Sequence, residues 1–355
     1  MREPAPEKWM PDWSRVRKVL LIRLRSIGDT VLMTPCLDAL KSWKPAIELA
    51  VLSEPLSAPI LEDHPSVDKL IIGDKSLNSR AKLIRRLRRE RFDVAFNMHG
   101  GSTATMLALA SGAKRSVGYG AYGLAWALAA RAPGPDRILG RTRLHSVEQQ
   151  LALVHWAGVP WPSSRPRLSL AVSKQAEARA REKLKTHDSF ALIAPAATLE
   201  SKRWTADGFA RVADHLSGRW NLPSVIIAGP GQEHLAREVA GSMRSEARVL
   251  VGLSLKELIA LIGLAKVFVG NDSGPMHIAA ALGCPMAVVF GSSDSSVWHP
   301  WTDSPYRIIG GRGDADAANV AGSSMNDSEF AIRRIPATDV IAAVDEVLKS
   351  ALAAS

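Results

Sequence analysis

The sequence predicts an α/β protein of two domains, each built on a parallel sheet covered by helices. Three observations carry this. Short, near-continuously apolar runs alternate with helix-length segments from Arg17 onward, the rhythm of strands buried on both faces and joined by crossover helices. That rhythm starts afresh after Val159–Leu168, where Pro160, Pro162 and Pro166 crowd together. Proline fixes φ and lacks an N–H, so this stretch suits a linker rather than a helix or a central strand. Finally, 355 residues are long for one core, since domains run about 100–200 residues.

In chain order, the first half gives strands at Lys18–Leu24, Ile47–Leu52, Asp68–Gly73 and Phe92–Met98, with a shorter one at Ser116–Tyr119. The second half gives SFALIAP, SVIIAGPG, RVLVG, KVFVGND and PMAVVFG. Gly310–Ser328 is rich in Gly, Ser and Asp and reads as an irregular loop. Ile335–Leu352 then reads as a closing helix with Thr338 as N-cap and a stripe of Val340, Ile341, Val344, Val347 and Leu348. The expected organisation is an extension at 1–17, a first domain at 18–165, a second at 166–335 and the helix at 336–355.

Composition excludes several classes. Apolar residues make up 46% and charged residues 23%, which are globular values. No apolar run approaches the ~18 residues of a membrane-spanning helix, and the charged start MREPAPEKWMPDWSRVRK is no secretory signal. Two cysteines, Cys36 and Cys284, make neither a disulfide framework nor a zinc site. Lys and Arg total 45 against 35 Asp and Glu, a formal charge of +10, which favours an anionic partner without choosing among nucleic acid, phosphorylated metabolite and membrane.

Four segments carry chemistry. RLRSIGDTVLMTP (Arg23–Pro35) ends a strand, turns at Gly28 and sets Asp29 at the mouth of a helix. Ligands bind at that edge of open α/β sheets, so Asp29 either serves as a general base or only caps the helix. APAATLESKRW places Thr198 and Lys202 in a loop above a strand end, where a lysine meets phosphate oxygens or is merely solvated. VFVGNDSGPMHIAAALG brings Asp272, Ser273, Gly274 and His277 to a helix start, an anion cradle or an ordinary capped turn with a core histidine. IIAGPGQEH sets Glu233 after a glycine turn, offering acceptors to a ribose diol.

Three other segments attract attention. GYGAYG (Gly118–Gly123) spells a dinucleotide fingerprint but follows a late strand, and the basic RTRLH stands where the ribose-binding acid belongs. DAD (Asp314–Asp316) resembles a metal-binding pair, yet sits in the acidic loop. RAKLIRRLRRERFD (Arg80–Asp93) has seven basic residues around Leu83, Ile84 and Leu87: an amphipathic helix whose basic face is either solvated or turned to lipid phosphates. Trp9 and Trp13, beside Arg15, Arg17 and Lys18, make either an interfacial foot or a frayed end.

Taken in order, KVLLIRLRSIGDTVLMTPCLDALK, FDVAFNMHG, HSVEQQLALVHWAGVP, SKRWTADGFARVADHL, AGPGQEHLAREVA, GLSLKELIALIGLAKVFVGNDSGPMHIAAALGCP and VVFGSSDSSVWHPW resemble the ADP-heptose:lipopolysaccharide heptosyltransferases of glycosyltransferase family 9. The likeness runs from about Lys18 to Leu348, and FGSSDSSVWHPW with IRRIPATDVIAAVDEVL is most similar to members adding the third core heptose. It implies a GT-B fold, two Rossmann-like domains facing across a cleft, with the closing helix crossing back onto the first. It implies inverting, metal-independent transfer of heptose from an ADP-sugar co-substrate to a core oligosaccharide on lipid A. By motif match Asp29 is similar to the catalytic base, with Gly28, His99 and Gly100 on the acceptor side. Thr198, Lys202, Glu233, Asp272, Ser273, Gly274 and His277 resemble the donor-binding set. The expected place is the cytoplasm, peripheral to the inner face of the inner membrane, with no cofactor, no metal and no nucleic acid. Departures are Pro195-Ala196-Ala197 where the family has a glycine, Asn97 where an acid is frequent, and the absence of a cysteine near the C-terminal loop.

The rivals are a GT-B glycosyltransferase with another nucleotide sugar or acceptor, a nucleotide-sugar epimerase, and a non-enzymatic nucleotide-sugar or nucleic-acid binding protein. The last leaves Asp29 idle, and the chain has no aromatic-studded basic strand motif of the RNA-binding kind.

Overall fold

The computed structural model describes residues 10–73, 77–185, 189–312 and 331–353. The chain divides into two compact units, 1–171 and 172–355, a few residues beyond the boundary expected at 165.

In the first unit, β1 (Lys18–Ile22), β2 (Glu48–Ser53), β3 (Lys69–Ile72), β4 (Val94–Asn97), β5 (Arg115–Tyr119) and β6 (Ala130–Ala132) form one sheet in the order β3-β2-β1-β4-β5-β6. Every pairing is parallel. Helix α1 (Ile27–Trp43) follows β1, α2 (Leu77–Glu90) links β3 to β4, α3 (Gly101–Ala110) follows β4, α4 (Pro135–Leu139) and α5 (Ser146–Trp156) follow β6, and α6 (Lys174–Leu184) opens the second unit. Strand β6 is an addition to the expected set: Ala-Arg-Ala has neither the length nor the branched side chains that mark a strand.

In the second unit, β7 (Ala191–Ala194), β8 (Ser224–Ile227), β9 (Ala247–Leu250), β10 (Val267–Asn271), β11 (Met286–Asp294) and β12 (Tyr306–Arg312) run in the order β12-β11-β10-β7-β8-β9. All are again parallel. Read from its other edge, this is the order of the first unit, the doubly wound Rossmann arrangement. Strand β12 is likewise an addition to the expected set, and its end overlaps the loop expected from Gly310: Gly310 and Gly311 have φ of 77° and 89°, so the ladder closes through two left-handed glycines. Residues 313–330, with the DAD segment, lie outside the described residues, as does Trp9.

The closing helix spans Ala337–Ala353. Val340, Val344, Val347 and Leu348 enter the second unit's core beside Phe209, Val212 and Leu216, with Ile341 packed at its edge. Thr338 lies inside this helix, with its hydroxyl 3.2 Å from Asp339 Oδ1, so it is not the expected N-cap.

Two further expectations are corrected. Trp13 is neither an interfacial foot nor frayed: its Nε1 donates to Ala157 O at 2.7 Å and its ring packs edge-on against Trp43 at 5.0 Å. The turn before α1 also does not rest on Gly28, which is buried in the helix's first turn. The left-handed residue is Ser26, with φ of 76°, and its Oγ accepts the Asp29 N–H at 3.4 Å.

Candidate active site

The first cluster sits where β1 and β4 end, the two strands between which the sheet order reverses and where such sheets take ligands. Arg23, one residue past β1, is buried at 6% exposure. Its Nη1 donates to Met98 O at 2.5 Å and its Nη2 lies 2.5 Å from Asp29 Oδ1. One guanidinium thereby joins the β1 end, the β4 end and the first turn of α1. Because the Ser26 hydroxyl caps the helix, the Asp29 carboxylate is turned to Arg23; it is 25% exposed, and its Oδ2 has no hydrogen-bond partner among the described residues.

Beyond β4, buried Asn97 shapes the loop. Its Oδ1 accepts from His99 N at 3.1 Å and Gly100 N at 2.9 Å, while Nδ2 donates to Thr105 Oγ1 at 3.1 Å. An amide both accepts and donates here, a pairing that a carboxylate cannot make. Gly100 has φ of 78°, and a Cβ there would stand 3.1 Å from Tyr122. Burial, then the charges of Arg23 and Arg25, push the His99 imidazole below its usual range against the pull of Asp29 and Glu54. Its Nδ1 is buried with no partner among the described residues. Burial raises the Tyr122 phenol to about 12, with Arg23 opposing and Asp29 adding. Asp29, Gly28, His99 and Gly100 are thus gathered in one place, and Arg23, Asn97 and Tyr122 are the members that motif reading missed.

The second cluster lies at the ends of β7, β10 and β11. Lys202 closes a short turn, Glu200–Lys202, and its Nζ lies 2.7 Å from Oδ2 of Asp272, which is 4% exposed. Ser293 Oγ donates to the same oxygen. An ammonium has three N–H groups, so this pair fixes Lys202 and leaves it donors for an anion. Asn271 braces the loop: Trp204 N donates to its Oδ1 at 3.1 Å and its Nδ2 donates to Pro195 O at 2.7 Å. Gly291 permits the approach of β11, since a Cβ there would lie 2.1 Å from Ser201 O.

Helix α7 (Ala206–Trp220) follows this loop, α8 (Glu233–Ser242) follows β8, α9 (Leu255–Leu264) follows β9 and α10 (Gly274–Ala281) follows β10. Ser273 is the N-cap residue of α10, with its hydroxyl 3.3 Å from Asn271 O. Gly274 opens the helix, and buried His277 stands one turn in, its ring 6.4 Å from that of Trp298. Thr198 is exposed and accepts Arg203 Nη2 on its carbonyl at 3.5 Å. Ala197 is buried and its carbonyl accepts Arg203 Nε at 2.7 Å and Gln232 Nε2 at 2.9 Å, which ties the start of α8 to the Lys202 loop. Glu233 folds onto its own helix start: its own N–H and that of Gly231, at 3.1 Å, hold the carboxyl below its usual range. Lys202, Asp272 and Ser273 are therefore brought together, Glu233 and Thr198 stand on the rim, and His277 is in the interior. Among the described residues no three His, Cys, Asp or Glu side chains are placed to hold a metal.

Two Rossmann-like units, each with polar residues at its switch point, are the GT-B architecture of nucleotide-sugar glycosyltransferases. Comparison with known proteins agrees. The sequence profile of glycosyltransferase family 9 (heptosyltransferase) matches residues 80–325, and the chain belongs to that family. It is 28% identical over 341 residues to lipopolysaccharide heptosyltransferase 3 of Escherichia coli K12, covering 92% of this chain and 96% of that one. Its fold matches a family 9 glycosyltransferase from Veillonella parvula DSM 2008 with a TM-score of 0.79 at 21% identity, over 94% of this chain and 97% of that one. It also matches the E. coli ADP-heptose lps heptosyltransferase II at 0.71 and 21%, over 94% and 98%. No helix among the described residues is long and apolar enough to cross a membrane.

Proposed function

We propose that this heptosyltransferase moves heptose from ADP-heptose to a lipopolysaccharide core oligosaccharide, with inversion and without a metal ion. The observation that carries the reading is the Asp29 carboxylate, pinned through Oδ1 by a buried arginine and left with Oδ2 open. Such a group is oriented to accept the proton of an acceptor hydroxyl as it attacks the anomeric carbon. His99 and Tyr122 border it as donors for sugar hydroxyls. Direct displacement by that hydroxyl inverts the centre.

The leaving ADP gains negative charge at its diphosphate. Lys202, held by Asp272, and the amides opening α10 are fixed positive groups that stabilise this charge most at the transition state, the part a magnesium ion plays elsewhere. Glu233, at the start of α8, is the acceptor for the ribose. The positive charge of the chain fits work at the inner face of an anionic membrane. The likeness to lipopolysaccharide heptosyltransferase 3 supports addition of the branching third heptose.

The test is to incubate the protein with a panel of ADP- and UDP-sugars and a heptose-deficient lipopolysaccharide and to read products by mass spectrometry. Transfer from ADP-heptose, retained in excess EDTA, is expected. ADP release without acceptor, or transfer only from a UDP-sugar, would overturn the reading.

A further inference from the structure

The first unit carries a surface that its fold does not explain. Helix α2, helix α3 and the short turn Ala125–Ala127 cover one face of the sheet. Leu83 and Leu87 of α2, Ala104 and Ala108 of α3, and Ala125 with Leu128 beyond it enter a single buried cluster with Leu20, Ile22 and Ala95 of the strands. The three elements touch in sequence: Arg88 Nε donates to Ala110 O at 3.1 Å, and a Cβ on Gly123 would stand 2.9 Å from Ser102 N. Their other sides therefore share one outer surface.

That surface pairs two kinds of group. On α2, Arg85 and Arg89 lie opposite the buried Leu83–Leu87 stripe, since successive residues turn by about 100°. Arg85, Arg88, Arg89 and Arg91, with Ala81 and Ile84, line an open groove of 710 Å³. No carboxylate among the described residues pairs with these arginines. Next to them Met106 and Leu109 of α3 are 59% and 40% exposed, and past them stand Leu124 and Trp126, the latter 75% exposed. A solvated basic helix accounts for the arginines alone. It does not account for a tryptophan and three aliphatic side chains presented to water beside them, which costs hydrophobic free energy in every state where they stay wet.

We propose that this face is the docking surface for an anionic lipid bilayer: arginines meet headgroup phosphates while Trp126, Leu124, Met106 and Leu109 enter the interfacial layer, where an indole ring is most at home. A nucleic acid would use the arginines and have no need of the aliphatic side chains. The face also adjoins the acceptor side of the site, since α3 begins directly after His99 and Gly100 and Tyr122 stands three residues before the turn at Ala125. A lipid-borne acceptor would be met at that edge; this purpose rests on the proposed function, whereas the docking itself does not.

The test is flotation of the full chain with vesicles of phosphatidylglycerol and phosphatidylethanolamine, against vesicles of phosphatidylcholine alone. Two variants are compared, R85E/R89E and M106S/L109S/W126S, each checked for an unchanged circular dichroism spectrum. At about 1 kcal/mol per arginine near a charged surface, R85E/R89E binds anionic vesicles about 30-fold more weakly or worse. The apolar variant binds about tenfold more weakly or worse. Parent-like binding by either variant, or equal binding of the parent to both kinds of vesicle, overturns the proposal. Both variants keep parental turnover on a water-soluble, lipid-free acceptor. If the parent itself transfers no sugar to that acceptor, the proposed function fails while the vesicle result stands.

Discussion

Arg23 Nη2 and Asp29 Oδ1 stand 2.5 Å apart, and the same guanidinium donates to the carbonyl of Met98, one residue past the neighbouring strand β4. The direction of the carboxylate is thus set by a buried cation rather than by the helix it opens. Asp29→Asn keeps an oxygen for Arg23 and removes the proposed proton acceptor. Turnover is expected to fall about 10²–10⁴-fold with ADP affinity kept, as read by steady-state kinetics beside calorimetric titration. Turnover at the parental level would remove Asp29 from the role of base.

Arg23→Met acts on the same carboxylate from behind. It strips Asp29 of its partner and Met98 O of a donor, for an expected loss of about 1–3 kcal/mol in stability. Turnover falls with it while ADP still binds. Arg23→Lys restores a charge but not the two-pronged contact and should recover stability better than rate. Denaturant titration and kinetics of both variants check this.

Lys202→Ala is expected to weaken ADP at least about tenfold, a charge-assisted contact to phosphate being worth roughly 1.5–3 kcal/mol. It also leaves Asp272 as a buried, half-satisfied charge, so melting temperature falls. Adding Asp272→Asn removes that charge: the double variant should regain stability and still fail to bind ADP. A double variant that binds ADP normally would show that Lys202 is structural.

Gly291→Ala tests the brace behind the lysine. The new methyl would meet the Ser201 carbonyl, at 2.1 Å in the present geometry, and a backbone atom yields only if the loop shifts. Destabilisation of about 1–3 kcal/mol and weaker ADP binding are expected together; a change in neither contradicts the close approach.

His64 gives the first unit a pH dependence. It is buried, its Nδ1 accepts from Ser66 N at 3.2 Å, and its Nε2 faces Ser169 Oγ at 2.9 Å. Ser169 and Ser66 both donate to Asp38, at 2.6 and 2.5 Å. Burial lowers the imidazole from 6.5 against the pull of Asp38. The unfolded chain therefore takes up the proton first, and stability is whole above about pH 6.5 and declines below it. Between pH 7.5 and 5.5 the parent should lose more stability than His64→Gln, measured by denaturant titration at each pH. Parallel slopes would contradict this.

Much of the fold is legible in the chain because buried strands announce themselves: KVLLI, ELAVL and VFVGN have few polar residues to place. Strand β6 is not, since Ala130 and Ala132 carry no such signal, nor is β12, whose short apolar run Ile308–Ile309 passes straight into two left-handed glycines that look like punctuation. The loops around Asp29, Lys202 and Asp272 are equally visible, being rich in the Gly, Ser, Asp and Pro that helix starts demand. What stays hidden is whatever depends on distant partners. Arg23 reads as one of several surface arginines until Met98 arrives from β4 to bury it. Trp13 reads as a dangling aromatic until the ends of α1 and the helix before the linker close around it. Ser293 and Gly291 matter only because β11 runs beside the lysine loop.

Each half of the chain owns a complete six-stranded sheet in the same order, and the junction at Ala171–Val172 cuts neither strand nor helix. That seam separates the two proposed duties along the chain: Asp29, the proposed proton acceptor, stands wholly before it, the lysine–aspartate pair wholly after it. A graft joined there would carry the lysine–aspartate pair unaltered together with a different first unit.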